Sequence, residues 1–82
     1  MELVNIGFGN LINASRVVSI VSPDSAPVKR IVSNAKSNGN LIDATQGRKT
    51  MSVIITDSDN VVLSYLDLKQ IAAKFSSEVS DE

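Results

Sequence analysis

The apolar residues of this chain fall into short runs rich in β-branched side chains, each closed within six residues by Gly, Pro, Asn or Asp. Leu3-Val4-Asn5-Ile6 ends at Gly7, Val17-Val18-Ser19-Ile20-Val21 ends at Ser22-Pro23, and Met51-Ser52-Val53-Ile54-Ile55-Thr56 ends at Asp57. Runs of this length and composition form strands, because branched side chains suit a pleated, half-buried surface. Only two windows carry the helical period instead. The chain is therefore expected to build a small β-rich sheet with two helices, an α+β domain. At 82 residues and without a single Cys, it has no disulfide to support a modest core. A domain of this size buries only about 60% of the surface its unfolded chain exposes. Association with partners, copies of itself above all, is the expected remedy.

In the first helical window, Val28, Ile31, Val32 and Ala35 lie at i, i+3, i+4 and i+7, one apolar stripe. Pro27 suits the first turn, Ser25 or Asp24 the N-cap, and Asn38-Gly39 the stop. In the second window Leu68, Ile71, Ala72 and Phe75 repeat the spacing, with Asp67 and Gln70 at capping-box distance. Asp57-Ser58-Asp59-Asn60 joins two strands as a hairpin turn, and Gly7-Phe8-Gly9-Asn10 reads as a tight turn needing positive φ angles. Leu41-Ile42 is a short strand, and 43–50 is a polar loop. The expected order is β-β-α-β-β-β-α, with one domain over 1–75 and an acidic, frayed tail over 76–82. Two short helices leave part of such a sheet open, which invites self-association in a closed symmetric assembly.

Composition narrows the chemistry. The chain contains no His and no Cys, so Ser-His-Asp triads, Cys-His pairs and His- or Cys-ligated metals are excluded. Gly7-Phe8-Gly9 lacks the third glycine of a dinucleotide fingerprint, since that position is Ile12, and no long helix follows. Gly47-Arg48-Lys49-Thr50 interrupts the Gly-Lys-Thr of a phosphate-binding loop with Arg48. Asp57-Ser58-Asp59-Asn60 opens like a calcium loop but continues into Val61 and Val62 where ligands and glycine are required. Each Asp has a turn or capping role, and no carboxylate pair sits on an apolar background. The chain is read as no enzyme, with no cofactor, no metal and no small-molecule substrate. Met1-Glu2-Leu3-Val4-Asn5 carries no basic signal region, and no run approaches the roughly 20 apolar residues of a membrane helix. A cytoplasmic location without membrane contact is expected.

Charge is unevenly distributed. Net charge is −1 at pH 7, but residues 10–50 hold Arg16, Lys29, Arg30, Lys36, Arg48 and Lys49 against two acids, a net +4. Residues 51–82 hold two lysines against six acids, a net −4. Such asymmetry suits a charged face of the kind a polyanion partner uses; charges scattered over a small domain without consequence are the other reading. Arg48 offers a planar fork and Lys49 a mobile point charge in a Gly-containing loop suited to phosphate contact; a plain solvated loop is the other reading. Lys29, Arg30 and Lys36 read as a solvated helix face, with Lys29 and Arg30 as secondary candidates.

Three strings then become diagnostic: Asn5-Ile6-Gly7-Phe8-Gly9-Asn10, the run from Ser19 through Ser22-Pro23-Asp24-Ser25-Ala26-Pro27 to Arg30, and Leu41-Ile42-Asp43-Ala44-Thr45-Gln46-Gly47-Arg48-Lys49-Thr50. Together they resemble the RemA family of bacterial extracellular-matrix regulatory proteins over about residues 3–65. The resemblance implies a nucleoid-associated regulator that forms a closed ring of identical subunits. It implies binding of double-stranded DNA at repeated promoter sites, bending or wrapping of that DNA, and activation of biofilm-matrix genes. The family's DNA-contacting arginines fall on Arg16, Arg48 and Lys49. The Lys in place of a second Arg keeps the charge but loses the bidentate fork. The resemblance also places Pro27 at a subunit interface, and the acidic half is expected to face away from DNA. A ring-forming protein-interaction adaptor without DNA binding is the alternative reading.

Overall fold

The computed structural model of the chain describes residues 2–76. Strand β1 (Leu3–Asn5) pairs antiparallel with β2 (Leu11–Asn13), Val4 opposite Ile12, as a separate two-stranded ribbon. A single 3-10 turn over Ala14–Arg16 leads into β3 (Val17–Val21), then helix α1 (Ala26–Asn38), β4 (Leu41–Asp43), β5 (Ser52–Thr56), β6 (Val61–Ser64) and helix α2 (Leu68–Ser76). The main sheet has the order β3-β5-β6-β4. β5 is antiparallel to both β3 and β6, and β4 lies parallel to β6. The element order is thus β-β-β-α-β-β-β-α, one strand more than expected. Leu11–Asn13 is too short to register as a strand by pattern, yet its backbone is satisfied by β1. The acidic tail foreseen over 76–82 starts at the last residue of α2; residues 77–82 lie outside those described.

The local signals work as their chemistry dictates. Ser25 Oγ accepts a 3.3 Å bond from Val28 N–H, and Pro27 stands in the first turn. Gly39, at φ 79°, closes α1: its N–H bonds to Lys36 O, and Asn40 N–H reaches Ala35 O at 2.8 Å. These two bonds form a Schellman stop. At α2 the capping box is reciprocal, with Gln70 N–H to Asp67 Oδ1 at 2.8 Å and Asp67 N–H to Gln70 Oε1 at 3.0 Å.

Alternation along β5 and β6 divides the core between the two faces of the sheet. Val53, Val61 and Leu63 pack against Val28 and Ala35 of α1, with Val32 alongside. Ile54 and Val62 face the opposite way and meet Ile6, Leu66 and Ile71, flanked by Ile12, Tyr65 and Phe75. The β1–β2 ribbon and α2 therefore cover the face that two helices alone could not. Among the described residues, the edges that no further strand pairs are β3 and β4. Both apolar helix stripes are only partly used: Ile31 and Leu68 are each 38% exposed, and Ala72 is exposed. A bulge between Val17 and Ser19 turns Val18 outward, and it is 66% exposed.

Two buried serines face each other across the β5–β6 ladder, Ser52 opposite Ser64. Ser64 Oγ donates to Ile6 O at 2.9 Å and accepts from Leu66 N–H at 3.1 Å, tying the first turn of the chain to the last strand. Ser52 Oγ has no hydrogen-bond partner among the described residues. Ser64→Ala is expected to cost about 1–3 kcal/mol, because it orphans a buried carbonyl and an N–H, whereas Ser52→Ala should leave stability unchanged or raise it. Urea denaturation of the two variants beside the parent checks the contrast.

Candidate nucleic-acid interface

The expected cations occupy two separate places. Arg16 ends the 3-10 turn, which Asn13 caps through Oδ1 to Ser15 N–H at 3.0 Å. It stands beside the β5–β6 hairpin turn. Asp57 N–H donates to Arg16 O at 2.9 Å, and Arg16 Nε donates to Asp57 Oδ1 at 2.8 Å. The two side chains keep 57% and 48% exposure, so this is a solvated pair that a competing anion can open. Asp57 belongs to the acidic half of the chain. Contrary to expectation, then, part of that half sits directly on a candidate site.

Arg48 and Lys49 lie at the opposite end of β5, in the loop that precedes it. β5 itself spans Ser52–Thr56, so the Arg16 end and the Arg48–Lys49 end are roughly 15 Å or more apart at about 3.4 Å per residue. One subunit therefore presents two cationic ends and no single patch. Lys29 lines a cleft with Pro23, Val32, Thr50, Val53 and Leu63, which puts it on the Thr50 side near Lys49. Arg30 and Pro27 are exposed on α1.

The loop carrying Arg48 is built with care. Asp43, at the end of β4, accepts from Thr45 N–H at 2.9 Å and from Thr45 Oγ1 at 2.6 Å. The Thr45 hydroxyl, then its N–H, hold the Asp43 carboxyl below its usual value of 3.8. Gln46 and Gly47 follow at φ 55° and 83°, and Arg48 N–H closes onto Thr45 O at 3.0 Å. Positive φ at both central residues is the type I′ pattern. The turn after β1 repeats it: Phe8 and Gly9 have φ 53° and 76°, and Asn10 N–H reaches Gly7 O at 3.0 Å.

The two turns meet. The Arg48 guanidinium lies 5.6 Å from the Phe8 ring centroid and 5.8 Å from that of Tyr65, and the two rings are 4.6 Å apart. Gly7, at φ 116°, lies against the Tyr65 ring, which occupies the space a Cβ would need. Phe8, Tyr65 and Asp57 were not singled out from the sequence as site residues. The signal for Phe8 was a bulky ring at the tip of a turn otherwise made of glycine and asparagine. Nothing in the linear sequence pairs Asp57 with Arg16.

Residues 3–75 match the RemA-like family, described as extracellular matrix regulatory protein A-like. The chain belongs to the RemA-like family. A "Putative regulatory protein" of Gloeothece citriformis is 57% identical to it over 75 residues, covering 92% of this chain and 85% of its own length. Proteins with the same description from Heliobacterium modesticaldum and Clostridium botulinum are 55% and 52% identical. They cover 98% and 100% of this chain, and 88% and 90% of their own lengths. All three carry regulatory names, and none is named as an enzyme. Among the described residues of this RemA-like chain, no helix is long and apolar enough to cross a membrane.

Two outcomes follow from the turns. Gly7→Ala combines a left-handed backbone with a clash against Tyr65, so it is expected to lower the urea midpoint and displace the ring, read by near-ultraviolet circular dichroism. Because the folded Asp43 carboxyl ionises more readily than usual, its contribution to stability is complete above 3.8 and is lost as pH falls through its lower folded value. Denaturation between pH 6 and 3 should show an acid loss in the parent that Asp43→Asn diminishes.

Proposed function

We propose that this RemA-like chain is a transcription regulator that binds double-stranded DNA as a ring-shaped homo-oligomer, with Arg16, Arg48 and Lys49 gripping phosphates. The observation that carries the reading is the placement of exposed cations at both ends of the central strand, next to a sheet whose two edges are open. An isolated subunit with net charge −1 and a few cations has little affinity for a duplex. Repetition around a ring makes every contact after the first effectively intramolecular. A duplex lying along the outer wall of such a ring meets cations at both margins of the sheet.

The edges support assembly. β3 carries the outward Val18, and β4 carries Ile42, which is 50% exposed beside Leu11 at the mouth of an apolar cleft between the ribbon and β4. The two edges are unlike each other, so joining one to the other is a head-to-tail contact that closes into a ring when the rotation permits. Pro27, exposed in the first turn of α1, fits the subunit boundary that the family resemblance assigns to it.

Selectivity in this reading comes from site spacing and DNA bendability more than from base contacts. Arg48 has the fork for bidentate phosphate contact, and Lys49 adds charge without it. The family description, extracellular matrix regulatory protein A-like, supports matrix genes as the targets; their activation by bending or wrapping promoter DNA is part of the proposal.

Gel shifts and fluorescence titrations at several salt concentrations test the proposal. Each phosphate neutralised contributes roughly −0.9 to the slope of log K against log[salt], so the parent should show a steep slope. Arg16→Ala and Arg48→Ala should each flatten it while light scattering shows the assembly intact. Asp57→Asn releases Arg16 from its partner and should tighten binding up to about five-fold, the range of a solvated ion pair. Salt-insensitive or absent duplex binding by an intact ring would instead favour a protein-binding adaptor.

A further inference from the structure

Phe8 occupies a position that its own residue type disfavours. It is a bulky non-glycine residue at φ 53°, and it is still 44% exposed. A left-handed backbone suits Gly or Asn far better, and a half-exposed phenyl ring adds little to a core. What the ring does touch is specific: the Tyr65 ring and the Arg48 guanidinium, which sits at nearly equal distance from both rings. Tyr65 is half-buried and packs on the core through the cluster of Ile6, Ile54 and Ile71, so it is a fixed wall. Gly7 leaves the room this wall needs. The turn of Arg48 is also left-handed, at Gln46 and Gly47, and is tied down by Asp43. Two reversed turns, at residues 7–10 and 45–48, thus bring one cation onto two aromatic rings.

We infer that Phe8 and Tyr65 are positioning residues that hold the Arg48 fork in the orientation in which it meets a phosphodiester group. The role rests on the DNA-binding reading above and adds to it the residues that fix the arginine. An arginine on a flexible loop loses rotamer freedom when it binds; one already laid over two rings loses less. Lys49 has no such seat among the ring contacts described, so the two neighbouring cations differ in order as well as in chemistry.

The test separates positioning from folding and from direct contact. Phe8→Asn removes the ring while suiting the left-handed turn, so its urea midpoint should equal or exceed the parent's. Tyr65 is the single tyrosine and there is no tryptophan, so near-ultraviolet circular dichroism of the free protein reads this cluster. Phe8→Asn and Arg48→Ala should each weaken the tyrosine band, and Phe8→Tyr, which adds a second tyrosine and is therefore read by duplex affinity, should bind as the parent does. In titrations with a duplex, Phe8→Asn should bind about two- to five-fold more weakly, the range of an exposed cation–π contact. The same change made in Arg48→Ala should have no further effect.

An unchanged tyrosine band in Arg48→Ala overturns the inference. So does an additive loss in the double variant, which makes Phe8 itself a DNA contact. If the parent binds no duplex, the proposed function fails, while the band still decides whether the rings hold Arg48.

Discussion

The pairing of β5 with β6 is the constraint on which everything else in this molecule depends. Both strands are interior to the sheet, and both are buried on both faces, with Val53 and Ile54 fully out of solvent. Burying both faces means that successive side chains serve different partners: one set is claimed by α1, the other by the ribbon and α2. At roughly 25 cal/mol per Å² of apolar area, these few Val, Ile and Leu side chains are the main source of stability in a chain without covalent ties. The candidate cations are pushed to the two ends of this pair because its middle has no polar surface to offer.

That arrangement explains how a chain with net charge −1 can present cationic ends. Arg16 is held at the hairpin end by a backbone bond as well as by the Asp57 carboxylate. Arg48 is held at the other end by aromatic faces. The two differ in kind. The first arginine carries its counter-charge with it and is partly neutralised at rest, whereas the second is seated by rings that leave its full charge in place. Weak, solvent-screened contacts such as Arg16–Asp57 hold a side chain in place without committing it, which suits the exchange of one anion for another that the proposed function requires of Arg16.

Much of the architecture was legible in the sequence, and for identifiable reasons. α1 between Ser25 and Gly39, the capping box of α2 and the β5–β6 hairpin are written in local chemistry, and local chemistry decides them. Leu11–Asn13 escaped because three residues carry no period; its partner β1 makes it a strand. Ile31 and Leu68 show the limit of helical stripes, since spacing says which residues share a side but not how far the opposing layer extends. The candidate cations were found by charge and family resemblance. Their separation to opposite ends of β5, the Asp57 contact and the aromatic seat of Arg48 are tertiary facts, made by residues 41 positions apart in one case and by residues from three separate segments in the other.

β3 and β4, the two outer strands, both run in the direction of β6, against β5 alone. A sheet continued from the β4 border of one molecule to the β3 border of the next would therefore join strands of the same sense, with only the β5 of each molecule reversed, like arrows on a belt. Every Arg48 would come to lie along one brim and every Arg16 along the other, so that the belt has a top and a bottom. A duplex wound on it would run over two parallel tracks of unlike character: one seated on aromatic rings, the other carrying its own carboxylates.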